Sequence, residues 1–162
     1  MTDRTEQTLN VYKKGGSKIA SGSKGAKSVA ITGLAPNTVV NKGDYQVTFS
    51  DVAGSESDKV DVPAFTVPDV KPSAPTIKTA TPGQGKIDVT LTAGSNTGSE
   101  VTSYKVYYKL TSGGEEKSID LGATLTGSIT SLEAQEYTLS ATATNGAGES
   151  SRSATKTATP TA

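Results

Sequence analysis

Three stretches of this 162-residue chain alternate apolar and polar side chains with a period of two. Lys86-Ile-Asp-Val-Thr-Leu-Thr92 puts Ile87, Val89 and Leu91 on one side. Thr102 to Leu110 does the same with Tyr104, Val106 and Tyr108, and Tyr137 to Ala143 with Tyr137, Leu139, Ala141 and Ala143. Successive side chains of a strand point to opposite faces, so this pattern makes half-buried strands and cannot give a helix one apolar stripe. Composition points the same way. There is one Met, aromatics make up 5% of the chain, and 17 glycines supply turns. Thr, Ser and Val favour strands, so the expected class is all-β.

The division of the chain follows from proline. Four of the seven prolines, Pro63, Pro68, Pro72 and Pro75, fall within one short stretch. Proline fixes φ and cannot donate to a sheet ladder, so this stretch is expected to connect modules. The predicted organisation is a flexible N-terminus at 1–7, a small β-sandwich at 8–68, a proline-rich linker at 69–73, a second β-sandwich at 74–159 and a tail at 160–162. The fold class is therefore two tandem small β-sandwiches.

In the second module, further strands are predicted around Lys117 to Leu121, Thr124 to Ile129 and Ser153 to Thr159, with Gly113-Gly114 as a turn. In the first module they are predicted at Thr8 to Tyr12, Ser28 to Thr32, Asp44 to Ser50, Val60 to Val62 and Phe65 to Val67. A faint repeat links the two modules. Ile31 to Leu34, Tyr45 and Ala53-Gly-Ser-Glu-Ser57 run in the same order as Ile129 to Leu132, Tyr137 and Ala147-Gly-Glu-Ser-Ser151. With about 60 residues and no cysteine, the first module is expected to have a marginal core.

Several function classes are closed by composition. The chain has no His, Cys or Trp. A Ser-His-Asp triad, a thiol nucleophile, a Cys/His zinc site and a disulfide therefore cannot be built. Sixteen basic residues balance sixteen acidic ones, which leaves no excess of positive charge to bind nucleic acid. No apolar run approaches the length of a membrane span, which takes about 20 residues. The expected protein is not an enzyme and takes no cofactor, no metal, no nucleic acid and no membrane. Asp44, Asp51, Asp58 and Asp61 follow no calcium-loop spacing, and solvated loop acids are their ordinary reading.

The candidate binding residues are few. Tyr107 should point opposite to Tyr104 and Tyr108, where an exposed ring can stack on a sugar or a partner. Asn145 and Glu149 lie in a loop, Asn145 to Ser151, expected to meet the loop Ala93 to Glu100 at one end of the sandwich. Lys13 and Lys14, with Lys18, Lys24 and Lys27, make the first module locally basic. Lysine at strand edges more often guards against aggregation than it binds an acidic surface.

Three motifs place the second module among known folds. These are Tyr104-x-Val106-x-Tyr108, Leu132 followed by Tyr137 at a strand entry, and Ala143-Thr-Asn-Gly-Ala-Gly-Glu-Ser150 as a hairpin. Together they resemble the fibronectin type III domain from Ala74 to Thr159, with Tyr137 in the place of that family's tyrosine corner. Ile87, Val89 and Leu91 stand where the family usually buries a Trp, and Leu132 to Tyr137 is one residue short. The stretch from Leu9 to Phe65 is similar to Ig-like accessory segments in head and tail proteins of bacteriophages. This resemblance implies a virion protein, made and assembled in the host cytoplasm, with capsid or tail proteins as partners. Host cell-surface polysaccharide would be a second partner, and a homo-oligomer would fit such a setting. The alternative expectation is a carbohydrate-binding or spacer module of a secreted polysaccharide-degrading enzyme.

Overall fold

A computed structural model describes residues 4–162. Among the described residues every regular element is a strand, and no helix is long and apolar enough to cross a membrane. The chain divides into two compact units, Met1–Pro68 and Asp69–Ala162.

The first unit contains β1 (Thr8–Lys13), β2 (Lys18–Ser21), β3 (Val39–Val40), β4 (Tyr45–Ser50), β5 (Val60–Asp61) and β6 (Phe65–Thr66). One antiparallel sheet has the order β2-β1-β4-β5, and β3 pairs with β6 in a second. Register pairs Leu9 with Phe49 and Val11 with Val47, so the alternation in β1 and β4 fills one face together. Among the described residues its buried hydrophobic side chains are Leu9, Val11 and Val40, of which Val11 is fully buried. That is a thin core for a unit of this size. Ser28 to Thr32 was expected to be a strand and forms none. It lies between Gly25 and Gly33, both at positive φ, and no neighbouring strand offers it a ladder. Val29, Ile31 and Leu34 instead line an open groove with Phe65 and Val67.

The second unit has eight strands. These are β7 (Thr76–Gly83), β8 (Lys86–Thr92), β9 (Ser103–Leu110), β10 (Lys117–Asp120), β11 (Thr126–Thr130), β12 (Tyr137–Asn145), β13 (Gly148–Glu149) and β14 (Lys156–Ala158). One sheet runs β11-β8-β7. The other runs β10-β9-β12-β13, with β14 also on β12. Ile87, Val89, Leu91 and Ile129 from the first sheet pack against Tyr104, Val106, Tyr137, Leu139, Ala141 and Ala143 from the second. These are the side chains that the period-two reading set inward. Area burial of this kind is the main favourable term in folding.

Two segments expected to be peripheral are tied into the second unit. The stretch 69–73 belongs to that unit by hydrogen bonds. Ser73 N–H donates to Ser95 O at 2.9 Å, and Asn145 Nδ2 donates to Val70 O at 2.7 Å. The tail is held as well, since Thr161 N–H donates to Gly83 O at 3.0 Å and Pro160 is fully buried. The last strand is shorter than expected, but Ser153 still bonds to β12, its N–H donating to Ala141 O at 2.8 Å.

Candidate functional site

Tyr107 leaves β9 on the face opposite the core, as the alternation requires. It is not a free stacking platform. Its hydroxyl donates to Glu149 Oε1 at 2.6 Å, and the Arg152 guanidinium lies 3.3 Å from its ring centroid. Arg152 in turn holds Glu116 through both nitrogens, at 2.7 and 3.3 Å, and reaches Ser140 Oγ at 2.9 Å. Thr142 Oγ1 also donates to Glu149 Oε1 at 2.6 Å. This cover explains why Ser140 and Thr142 are buried on what would otherwise be a solvent face of β12. The hydroxyls of Thr142 and Tyr107 stabilise the charged form of Glu149 and hold its carboxyl below the ordinary glutamate range. The same bond raises the Tyr107 phenol.

Asn145 is 5% exposed, and its amide is spent internally. Its Nδ2 donates to Val70 O and to Ser99 O, and its Oδ1 accepts from Ala147 N–H at 2.9 Å. Gly146 N–H donates to Ser99 Oγ at 2.9 Å, so the loops 93–100 and 145–151 do meet at one end. There they clasp residues 69 and 70 of their own chain. Asp69 accepts from Ser99 N–H at 2.9 Å and from Ser99 Oγ at 2.6 Å.

In the first unit, Lys13 ends β1 and Lys14 opens the turn at Gly15, both exposed. Lys24 pairs with Glu6, and Lys18 lies close enough to Glu56 to help hold that carboxyl down. Glu56 is the hub of a polar network. It accepts from the Tyr12 hydroxyl at 2.6 and 2.7 Å, from Thr48 Oγ1 at 3.1 Å and from Asn10 Nδ2 at 3.2 Å. The Tyr12 bond is the chief cause of its lowered pKa. Among the acids weighed for calcium, Asp44 caps Asn41 N–H and Asp61 accepts from Gln46. Among the described residues, no three acidic side chains converge to hold a metal.

The second unit has one concave region that the sequence reading did not single out. A cavity of about 370 Å³ opens between the β9–β10 turn and the entry to β12. Tyr108, Leu110, Leu132 and Tyr137 supply its apolar lining. The Tyr108 and Tyr137 rings are tilted by 57° with centroids 6.3 Å apart. The Tyr137 hydroxyl accepts from Glu133 N–H at 3.3 Å, closing the corner. Gly113 and Gly114, at φ 118° and 121°, form the turn beside the opening. The signals available in sequence were Gly113-Gly114 and the Tyr108 and Tyr137 positions. What they lacked was the register that sets Lys117 opposite Tyr108.

No family model matches the chain, and no curated protein matches it. Among solved structures, one described as a myokine structure is 19% identical, covering 56% of this chain and 99% of that one, with a TM-score of 0.49. A structure of the titin kinase and its flanking domains is 20% identical, covering 57% of this chain, with a TM-score of 0.50. The present chain spans only 17% of that second chain's length. At such identity the likeness is one of fold. Among the described residues the protein is all-β, and over the matched 57% of the chain its fold is of the Ig and fibronectin type III-like kind.

Proposed function

We propose that this is a non-catalytic structural or decoration protein of a bacteriophage virion. In this reading the first unit anchors to capsid or tail proteins. The second unit makes weak contacts with host-surface polysaccharide, and many copies on one particle turn weak sites into useful avidity. The observation that carries the reading is the open cleft whose lining includes the packed rings of Tyr108 and Tyr137, a shape suited to a small polar ligand. The open groove of Val29, Ile31, Leu34, Phe65 and Val67 on the first unit supports the anchoring half, since an exposed apolar surface favours a protein partner. The resemblance of Leu9 to Phe65 to phage accessory segments supports the virion setting.

Co-sedimentation tests the reading. Labelled protein is incubated with phage particles lacking it, with host cells and with isolated wall polysaccharide. Saturable binding to particles that is lost without residues 1–68 is the expected result. Binding to polysaccharide with none to particles would instead favour a module of a polysaccharide-degrading enzyme.

A further inference from the structure

We infer that the Tyr108–Tyr137 cleft is a subsite for one or two neutral pyranose units of a polysaccharide, a proposal that rests on the binding role given above to the second unit. Its volume, about 370 Å³, lies at the low end of ligand cavities, which run from roughly 300 to 1,000 Å³. That suits a sugar ring and not a folded partner. Tyr108, half-buried, and Leu132 give an apolar wall for the C–H face of a pyranose.

The polar rim is what selects the class. Among the described residues, the Tyr108 hydroxyl, the Lys117 ammonium and the Glu115 carboxylate make no hydrogen bond or ion pair. The Glu133 carboxylate accepts from Gln135 Nε2 through Oε2, which leaves its other oxygen for a ligand. Register places Lys117 directly across from Tyr108, so an ammonium donor and a phenol stand side by side at one wall. The carboxylates of Glu115 and Glu133 supply acceptors. Each hydroxyl of a sugar both donates and accepts, so one ring can satisfy groups of both kinds. With ammonium and carboxylate groups both on the rim, no single sign of charge prevails to draw an ion. A neutral sugar fits this better than a phosphate or a sulfate.

The test titrates the full chain with soluble neutral trisaccharides of glucose and of N-acetylglucosamine, followed by amide shifts in NMR. The expected result is saturable movement of the amides around Tyr108, Lys117, Leu132 and Tyr137. Tyr108→Phe and Lys117→Ala should each weaken binding about fivefold to tenfold, the worth of one hydrogen bond, with unchanged melting midpoints. Absence of shifts at those amides with either sugar overturns the subsite. So does cell co-sedimentation that survives Lys117→Ala and Tyr108→Ala undiminished, which moves the contact elsewhere and leaves the broader role standing. Failure of the unaltered protein to bind cells, polysaccharide or particles overturns the broader role, whatever the trisaccharides show.

Discussion

Glu56 and Glu149 hold the same place in their respective units. Each accepts a tyrosine hydroxyl from one strand, Tyr12 or Tyr107, and a threonine hydroxyl from the next, Thr48 or Thr142. Each is followed three residues later by a cation over that tyrosine ring, Lys59 at 4.5 Å and Arg152 at 3.3 Å. Each is also followed by a serine bonded both ways to the strand. Ser57 pairs with Phe49 at 2.9 and 3.0 Å, and Ser150 with Ala143 at 2.8 and 3.0 Å. The carboxylate pins a returning hairpin to the two central strands of its sheet.

This pin makes stability depend on pH at both ends. Hydrogen bonds from Tyr12 and from Thr142 with Tyr107 lower the pKa of Glu56 and Glu149 from the ordinary 4.5. The folded state then binds fewer protons than the unfolded one. Its contribution is fully present above 4.5 and is lost as pH falls through the folded-state values. Tyr12 and Tyr107 are raised from 10.0, so their contribution is full below that and is lost as pH rises through the folded-state values. Both sites are exposed, and solvent screening keeps the effect modest. Melting midpoints should therefore show a plateau with a fall on each side, and Glu149→Gln should flatten both limbs for the second unit. Midpoints that stay level through the acid limb would refute the pin.

The segment before β7 should come loose when its clasp is removed. Asn145→Ala removes the four hydrogen bonds of a buried amide and should cost about 2–3 kcal/mol. Gly98→Ala should act on the same clasp by collision, because a Cβ there would meet Val70 O and Asp69 Oδ1. Both variants should speed proteolysis between Asp69 and Ser73. Cleavage at the unaltered rate would mean the clasp does not hold that segment.

Core truncations should separate the units. Leu139→Ala, at a side chain with no exposure, should cost the second unit about 2–5 kcal/mol. Val11→Ala removes less, about 2 kcal/mol, but takes it from a unit with few fully buried hydrophobic side chains. Resolved NMR spectra should show the first unit unfolding in Val11→Ala at a temperature where the second remains intact. A first unit that stays folded in Val11→Ala up to the temperature at which the second unit melts would contradict the thin-core reading.

Tyr137→Phe tests the corner beside the cleft. It removes the acceptor for Glu133 N–H and should cost about 1 kcal/mol, with little change in packing. Hydrogen exchange should quicken at the Glu133 amide and stay unchanged at Leu139.

The inward faces of β8, β9 and β12 were legible in the sequence because a strand's alternation is local. Ile87, Val106 and Leu139 would face a core whichever strands lay beside them. The division after Pro68 was legible for a similar reason, since proline acts on its own backbone. The repeated Ala-Gly hairpins could be seen too, but their register could not. Matched by their bonds to Glu56 and Glu149, Thr48 answers to Thr142, so Tyr45, three residues earlier, answers to Leu139 and not to Tyr137 as order alone suggested.

What only the tertiary structure decided is how polar side chains are spent. Tyr107, Asn145 and Glu149 read as free surface groups in the chain, yet each finds its partner far along the sequence. Tyr107 and Glu149 are 42 residues apart, and Asn145 and Val70 are 75 apart. A polar residue's type states what it can donate or accept, whereas the tertiary fold, through strand pairing and loop closure, brings that partner within bonding distance. The cleft follows the same logic. Tyr108 reads in the chain as a core-facing residue and Lys117 as the start of a strand, and they become one wall only because β10 pairs with β9 in that register.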